Sequence, residues 1–273
     1  MVDAAVGSCT VTTGSDPEDG GSSSQSRIKS LDTTFTIVES LTDLDGARVT
    51  ELADRTGLSK STVHKHLATL VAHGYVVKEG EEYRLGFRFL DLGGYVRAQF
   101  TGADIIKSKI QELAEKTGEV AQYMTEENGE AVVLYREDGH HGVPSRTRTG
   151  KRMYLHQVAS GKAILAQLPE ERVDEILERH GLPRATDTTI TDPDELKAEL
   201  EEIRENGVAY SYGESTKGLY AVAAPMMAPD ETVLGACVVS GPSHRMAGEP
   251  MDEEIPEILL SIVNEVELNI AHS

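Results

Sequence analysis

The first 26 residues show no recurring hydrophobic positions and are rich in Ser, Gly, Thr and Asp. This composition predicts a disordered tail over residues 1–26. Beyond the tail the pattern becomes helical, with four apolar residues at spacings of four, three and three: Leu31, Phe35, Val38 and Leu41. They share one face of a predicted helix that ends near Asp45 and Gly46.

Two further helices and a hairpin follow. A short helix ends at Gly57, which supplies a left-handed stop, and Ser59 caps the next helix. That third helix has apolar residues at i, i+4, i+7 and i+8: Val63, Leu67, Leu70 and Val71. Two short strands around a Gly-containing turn then predict a β-hairpin over residues 75–85. The order helix, helix, tight turn, helix and hairpin predicts a winged helix-turn-helix domain over residues 27–86.

The polar face of the third helix concentrates hydroxyl and basic side chains at its N-terminal end: Lys60, Ser61, Thr62, His64 and Lys65. In a winged helix-turn-helix domain this end enters the major groove of DNA. Lys78 and Arg84 of the hairpin are placed to contact the DNA backbone or the adjacent minor groove. The alternative is that these residues only cap the helix and face solvent, which explains each residue singly but not their concentration at one end of the helix. We therefore predict that the protein binds double-stranded DNA at an operator or promoter.

Residues 87–103 form an apolar segment that contains three of the four Phe in the chain. The segment predicts an amphipathic linker helix that packs on a second subunit, and hence a homo-oligomer (a dimer or tetramer). An ordinary core helix is the alternative interpretation.

The remainder, residues 104–273, mixes helical and strand patterns. Helices are predicted at residues 104–117, 160–168, 170–180, 192–206 and 252–271. Strands are predicted at residues 119–125, 130–137, 143–149, 207–213, 219–227 and 232–240. Strands and helices in this order predict an antiparallel sheet with flanking helices, so the whole chain is expected to be a two-domain α+β protein whose second domain senses a ligand.

Charge is distributed unevenly along the chain. The net charge is −20, of which residues 1–26 contribute −4, residues 27–88 zero and residues 89–273 −16. A neutral segment in an otherwise acidic chain favours an anionic partner for that segment. The acid surplus elsewhere is typical of a halophile, whose cytoplasm holds molar salt. The sequence contains only two cysteines, and it shows no signal peptide and no apolar stretch long enough to span a membrane. These features predict a cytoplasmic protein with no membrane partner.

Several short strings in both halves are shared with one protein family: Lys29-Ser30-Leu31, Glu51-Leu52-Ala53, residues 56–63, Gly74-Tyr75-Val76, residues 83–86, Leu155-His156, residues 159–163, Ala223-Ala224-Pro225 and residues 239–242. On these strings the sequence resembles the IclR family of bacterial and archaeal transcription regulators, over nearly everything after residue 27. The resemblance implies a GAF-like effector-binding and oligomerisation domain over residues 104–273. It also implies dimers or tetramers that control catabolic genes in response to small metabolites, such as organic acids or sugar derivatives.

The predicted DNA contacts are ten residues: Lys29, Ser30, Lys60, Ser61, Thr62, His64, Lys65, Lys78, Tyr83 and Arg84. By position in the family, the effector pocket is implied to include Tyr154, Ala159, Ser160, Gly161, Ala221, Cys237 and Ser240. Residues 159–162 lie where strand gives way to helix, so backbone N–H groups and Lys162 can form an anion site there. The alternative is that Ser160 caps the helix and Gly161 permits close packing. With the resemblance, an effector that bears a carboxylate is preferred.

Residues of the second domain also suggest two other functions. A zinc-sensing regulator is the alternative to a metabolite sensor, because five possible ligands share the second domain: His140, His141, His156, His180 and Cys237. Their spacing matches no metal motif. An enzyme with a Cys237 nucleophile and a His156 base is the other candidate. Cys237 lies within an apolar strand, where a buried inert thiol is expected, so we predict that the chain is not an enzyme and has no cofactor.

Overall fold

A computed structural model describes residues 27–142 and 147–272. These residues form two compact units that divide between Phe89 and Leu90. The tail predicted over residues 1–26 lies outside the described residues. In the two described ranges, no helix combines the length and the apolar character that crossing a bilayer requires.

The N-terminal unit contains three helices and three short strands: α1 (Lys29–Asp43), β1 (Ala47–Arg48), α2 (Val49–Thr56), α3 (Lys60–Ala72), β2 (Val76–Glu79) and β3 (Glu82–Leu85). The strands form an antiparallel sheet in the order β1-β3-β2. Gly80 turns the chain between β2 and β3 with a φ of +62°, a conformation that glycine adopts without strain. This arrangement confirms the predicted winged helix-turn-helix.

Helix α3 buries three of the four apolar residues in its predicted pattern, Val63, Leu67 and Leu70, while the fourth, Val71, is exposed. Helix α1 differs from its prediction. It buries Ile37 and Leu41, but Leu31 and Phe35 remain exposed. The apolar face predicted for this helix is therefore only partly covered within its own unit.

Helix α4 (Arg88–Ala98) spans the division, and the C-terminal unit follows. Its elements are α5 (Ala103–Thr117), β4 (Val120–Glu127), β5 (Glu130–Asp138), β6 (Arg152–Tyr154), a 3-10 turn (Leu155–Gln157), α6 (Ala159–Gln167), α7 (Glu170–His180), α8 (Pro193–Asn206), β7 (Ala209–Tyr212), β8 (Leu219–Met227), β9 (Val233–Pro242), α9 (Ser243–Met246), a π turn (Pro250–Glu254) and α10 (Ile255–Ala271). The strands form one antiparallel sheet in the order β6-β5-β4-β9-β8-β7. The predicted α+β fold is confirmed.

Two sequence predictions differ from the structure. Part of the strand predicted at residues 143–149 lies outside the described residues, and residues 147–150 are not in a strand. The edge strand is β6 instead. The linker helix predicted over residues 87–103 is shorter, because α4 ends at Ala98 and Gly102 takes a left-handed φ of +73° before α5 begins.

The sheet of the C-terminal unit separates two hydrophobic cores. Helices α5 and α10 cover one face, and α6, α7 and α8 cover the other. Because side chains alternate along a strand, β9 contributes to both cores: Cys237 and Val239 pack in the first, and Ala236 and Val238 pack in the second. This alternation decides which residues of β9 can reach a pocket on the second face.

Candidate functional site

The N-terminal end of α3 presents four exposed polar side chains: Lys60, Ser61, His64 and Lys65. Ser59 caps the helix, since its hydroxyl oxygen accepts a hydrogen bond of 3.1 Å from the backbone N–H of Thr62. The hydroxyl groups of Ser59 and Thr62 lie 2.8 Å apart. Thr62 is half-buried, so it belongs to the cap, while its four neighbours are available to a partner.

Four exposed lysines of the N-terminal unit have no carboxylate within ion-pair distance among the described residues: Lys29, Lys60, Lys65 and Lys78. Ser30 is exposed beside the first of them. Arg84 differs, because its guanidinium lies 3.9 Å from Glu79 and 3.4 Å from Glu82. Unpaired ammonium groups attract phosphates and release counterions when they bind DNA, which favours the lysines over Arg84 as backbone contacts.

Tyr83 corrects the sequence prediction. Its side chain is only 5% exposed and packs in the core of the N-terminal unit. Alternation along β3 turns Tyr83 inward and its neighbour Arg84 outward. Tyr83 therefore supports the wing from within and does not present its ring to DNA.

A cavity of about 490 Å³ opens against the second face of the large sheet. Its walls come from β4, β6, β7, β8 and β9, from the segment before β6, from the first turn of α6 and from the loop before β8. The lining residues are Val120, Gln122, Met124, Thr147, Lys151, Met153, Val158, Ala159, Ser160, Ser211, Ser215, Thr216, Lys217, Gly218, Leu219, Ala221, Val238, Ser240, Gly241 and Pro242. Four predicted effector residues are among them: Ala159, Ser160, Ala221 and Ser240.

Three predicted effector residues do not line this cavity, and each has a physical reason. Cys237 is 1% exposed and packs in the core on the opposite face of the sheet. Gly161 lies against the preceding turn, where an added Cβ would come within 2.2 Å of the Leu155 carbonyl oxygen. Tyr154 ends β6, and its ring lies 5.9 Å from the ring of His156. For Gly161, the close-packing interpretation was therefore the correct one.

Lys162 also departs from its predicted place in an anion site. Its side chain is fully buried, and its Nζ lies 2.6 Å from Glu199 Oε1 and 2.7 Å from Glu214 Oε2. Burial raises the pKa of the Glu214 carboxyl above its usual value, although the Lys162 ammonium opposes this shift. The ion cluster joins α6 to α8 and to the loop that leads into the cavity wall, so Lys162 positions the wall and does not face the cavity.

The charge of the cavity contrasts with that of its surroundings. Its lining includes two lysines, Lys151 and Lys217, and no Asp or Glu. Neither lysine has an ion-pair partner among the described residues. The first turn of α6 enters the cavity at Val158 and Ala159, and no side chain caps this helix. Free N–H groups and the positive end of the helix dipole attract anions.

Sequence reasoning missed Gln122, Ser211 and Lys217 as cavity residues. A signal for Gln122 was present, because it is the polar residue between Val120 and Met124 on the inward side of β4. For Lys217 the signal was weaker: a run of Ser, Thr, Lys and Gly before a predicted strand. Ser211 gave no local signal, since its place in the cavity depends on pairing of β7 with β8.

The possible metal ligands of the second domain do not converge. His156 Nε2 lies 3.1 Å from the Pro183 carbonyl oxygen, and His180 Nε2 lies 2.8 Å from the Asn128 carbonyl oxygen. The rings of His140 and His141 lie together, 4.0 Å apart. Within residues 27–142 and 147–272, no three His, Cys, Asp or Glu side chains are placed to hold a metal ion.

Cys237 is also unsuited to the chemistry of a ligand or nucleophile. Burial raises the pKa of its thiol to about 12, so the thiol stays protonated at neutral pH. The thiolate is the form that attacks substrates and binds metals. His156 is engaged at Pro183 and is not placed as its base.

Comparison with known proteins agrees with both domains. Residues 30–80 match the family described as IclR helix-turn-helix domain, and residues 101–267 match the family described as Bacterial transcriptional regulator IclR C-terminal. The chain is 30% identical over 260 residues to "Probable HTH-type transcriptional regulator ArcR" of Halobacterium salinarum. The aligned region covers 93% of this chain and 98% of that protein. It is 30% identical over 233 residues to "HTH-type transcriptional regulator KdgR" of Escherichia coli, and this aligned region covers 84% of this chain and 88% of that protein.

A solved structure gives the same result. The crystal structure of Thermotoga maritima IclR matches with a TM-score of 0.75 and 27% identity, covering 89% of this chain and 99% of that one. These relatives are regulators of transcription, which confirms the prediction that the chain is not an enzyme. The chain belongs to the IclR family of DNA-binding transcription regulators, with an N-terminal helix-turn-helix domain and a C-terminal effector-binding domain.

Proposed function

We propose that this regulator binds a small carboxylate in the cavity of its C-terminal unit and that binding alters its affinity for the promoters of catabolic genes in the cytoplasm. The observation that supports this proposal best is the charge of the cavity. Its lining holds Lys151 and Lys217 and no carboxylate, in the part of the chain with a net charge of −16. The local positive charge and the uncapped start of α6 both stabilise a bound anion.

The DNA contacts follow from α3. Lys60, Ser61, His64 and Lys65 at its exposed N-terminal end reach base edges in the major groove, with Thr62 beside them. Lys29, Ser30, Lys78 and Arg84 hold the DNA backbone. For Arg84 this requires that it exchange Glu79 and Glu82 for a phosphate.

The active form is a homo-oligomer. Exposed apolar side chains lie at Ile28 directly before α1, along α1 (Leu31 and Phe35) and along α4 (Leu90, Leu92, Tyr95 and Val96). Each helix has an apolar face that the described residues leave exposed, and a second copy of the chain has the same exposed faces to pack against them. In such an assembly a ligand acts by shifting the population between two arrangements of the DNA-binding units.

Fluorescence anisotropy at high KCl tests the proposal, with the DNA upstream of the gene and random DNA of equal length. Small acids and sugars are then added singly. We expect selective binding of the upstream DNA and a change in affinity caused by one class of carboxylates. A response to neutral sugars alone, or to no metabolite, would contradict the carboxylate assignment while leaving the DNA-binding function intact.

A further inference from the structure

The hairpin of the N-terminal unit breaks a rule of strand pairing. Glu79 ends β2 and Glu82 begins β3, and the two residues lie directly opposite each other. Like charges in directly opposite positions repel each other and destabilise a sheet. The exposed Glu81, in the turn between them, adds a third carboxylate. Natural sequences keep such a local conflict mainly where a function requires it, and this hairpin belongs to the unit that binds DNA.

One cation, Arg84, balances the opposed pair. Its guanidinium lies 3.4 Å from the carboxylate of Glu82 and 3.9 Å from that of Glu79. Glu81, by contrast, has no ion-pair partner among the described residues. We call Glu79, Glu82 and Arg84 the wing cluster. Each of its side chains is nearly half exposed or more, so salt ions and phosphates have access to all three groups and the arginine can exchange one partner for another.

Such an exchange changes how a DNA contact depends on salt. A side chain that neutralises a phosphate releases a counterion from the DNA, which makes log affinity fall against log salt with a slope of about 0.9 per contact. When Arg84 turns to a phosphate, the opposed carboxylates lose their counter-charge and attract a cation from the solution. One cation is then released at the DNA and one is taken up at the wing cluster. Lys65 has no carboxylate to leave behind, so a contact that it makes with a phosphate depends fully on salt.

We propose that Glu79 and Glu82 are positioning residues that make the DNA contact of Arg84 insensitive to salt. They hold its guanidinium in the free protein, and they accept a cation from the solution in its place when it binds a phosphate. The contribution of Arg84 to affinity then stays nearly constant as KCl rises, while the contributions of the unpaired lysines fall. This inference rests on the proposed function, because it assumes that Arg84 contacts the DNA backbone.

Anisotropy titrations of the full chain with the DNA upstream of the gene, over a roughly fourfold range of KCl, test the inference. Glu82→Gln removes the charge of the nearer partner of Arg84 and keeps the size of the side chain. We expect this variant to bind DNA more tightly than the unsubstituted protein at the lowest KCl concentration, a result that misfolding could not produce. Its slope should steepen by up to about 0.9, so the ratio of the two affinities should fall about threefold across the range.

Arg84→Gln supplies a second readout. It should weaken binding by the same factor at every KCl concentration, whereas the loss of an ordinary phosphate contact reduces the slope by about 0.9. Glu81→Gln is the charge-matched control, because it removes a neighbouring carboxylate that holds no arginine. Any change that it causes should be the same with and without Arg84. In the Arg84→Gln background, Glu82→Gln should change the slope no more than Glu81→Gln does.

The possible outcomes separate this inference from the proposed function. If Arg84→Gln leaves affinity unchanged at every KCl concentration, Arg84 does not contact DNA, and both the assigned contact and the inference are wrong. If Arg84→Gln weakens binding and reduces the slope, the contact stands but no exchange of cations occurs, and the inference is wrong. Equal changes of slope in Glu82→Gln and Glu81→Gln would also overturn it, since general repulsion between carboxylates and phosphates would then explain both.

Discussion

Lys162 has its charge in the interior of the C-terminal unit, where two carboxylates from distant parts of the chain surround it. Lys162→Met would leave Glu214 buried without its counter-charge. Breaking a buried ion pair by removing one partner costs ~3–5 kcal/mol. We expect a loss of this size in the free energy of unfolding, measured with denaturant at constant high salt.

A matched control exists on the surface. Lys197 also pairs with two carboxylates, at 3.1 Å from Glu170 and 2.8 Å from Asp174, but it lies on the outer side of α8. Water screens exposed ion pairs, which contribute little to stability, so Lys197→Met should change stability much less than Lys162→Met. If both substitutions changed the free energy of unfolding equally, the burial of Lys162 would not increase the contribution of its ion pairs to stability.

His156 makes stability depend on pH. Burial lowers the pKa of its imidazole below the usual 6.5, although its hydrogen bond to Pro183 opposes this shift. As the pH falls below 6.5, the unfolded chain takes up a proton at this residue that the folded chain does not. Stability should therefore decrease from pH 7.5 towards pH 5.5.

His156→Gln tests this origin, because glutamine does not titrate and can still donate to the Pro183 carbonyl. The variant should show a shallower decrease of its unfolding midpoint over the same pH range. His272→Gln, at the exposed end of α10, should show the slope of the unsubstituted protein. An unchanged slope in His156→Gln would assign the pH dependence to other groups.

At the scale of the element, α3 is the part of the N-terminal unit that we expect to specify the DNA sequence. Lys65→Ala should weaken binding to DNA. If Lys65 contacts a base, its loss would reduce the binding free energy by ~1–3 kcal/mol, and the protein would then accept other bases at that one position. Loss of a phosphate contact would instead reduce the slope of log affinity against log salt by about one. Anisotropy titrations at several KCl concentrations distinguish the two results.

Lys107→Ala is the control, since Lys107 is an exposed lysine on α5 of the other unit. It changes the net charge of the chain equally and should leave affinity for DNA nearly unchanged. If Lys65→Ala behaved in the same way, Lys65 would not belong to the interface.

Helix α4 presents the second element-scale prediction. Val96 and Tyr95 are exposed on a helix with no buried residue of its own. Val96→Glu should place a charge within the interface between copies and lower the mass measured by light scattering. Leu268→Glu introduces the same charge at another exposed apolar position and should leave the mass unchanged.

The sequence predicts helices and strands better than it predicts which distant residues pack against them. The spacing of Val63, Leu67 and Leu70 gives the correct buried face of α3, because helical spacing is a local property. The partners of Lys162 lie 37 and 52 residues away, so no local pattern could place its ammonium group. Cys237 fell in a correctly predicted strand but on the wrong face, since alternation does not reveal which face meets the cavity.

At the scale of the whole molecule, the net charge of −20 favours high salt. Repulsion among exposed carboxylates extends over a Debye length of about 10 Å at 0.1 M salt and only about 3 Å at 1 M. We expect the unfolding temperature to fall, and aggregation to begin, as KCl is reduced below about 1 M. Full stability in dilute buffer would contradict the interpretation of the acid surplus as an adaptation to salt.

The alternation along the large sheet has a consequence for redesign. The cavity positions 122, 211, 221, 238 and 240 are each flanked along their strands by residues of the other face. A combinatorial library at these five codons would diversify the recognition surface and leave the α5 and α10 core constant. A single-residue insertion in β9 would instead exchange its two faces. Biosensors for new acids should therefore be sought by substitution, with the length of these strands held fixed.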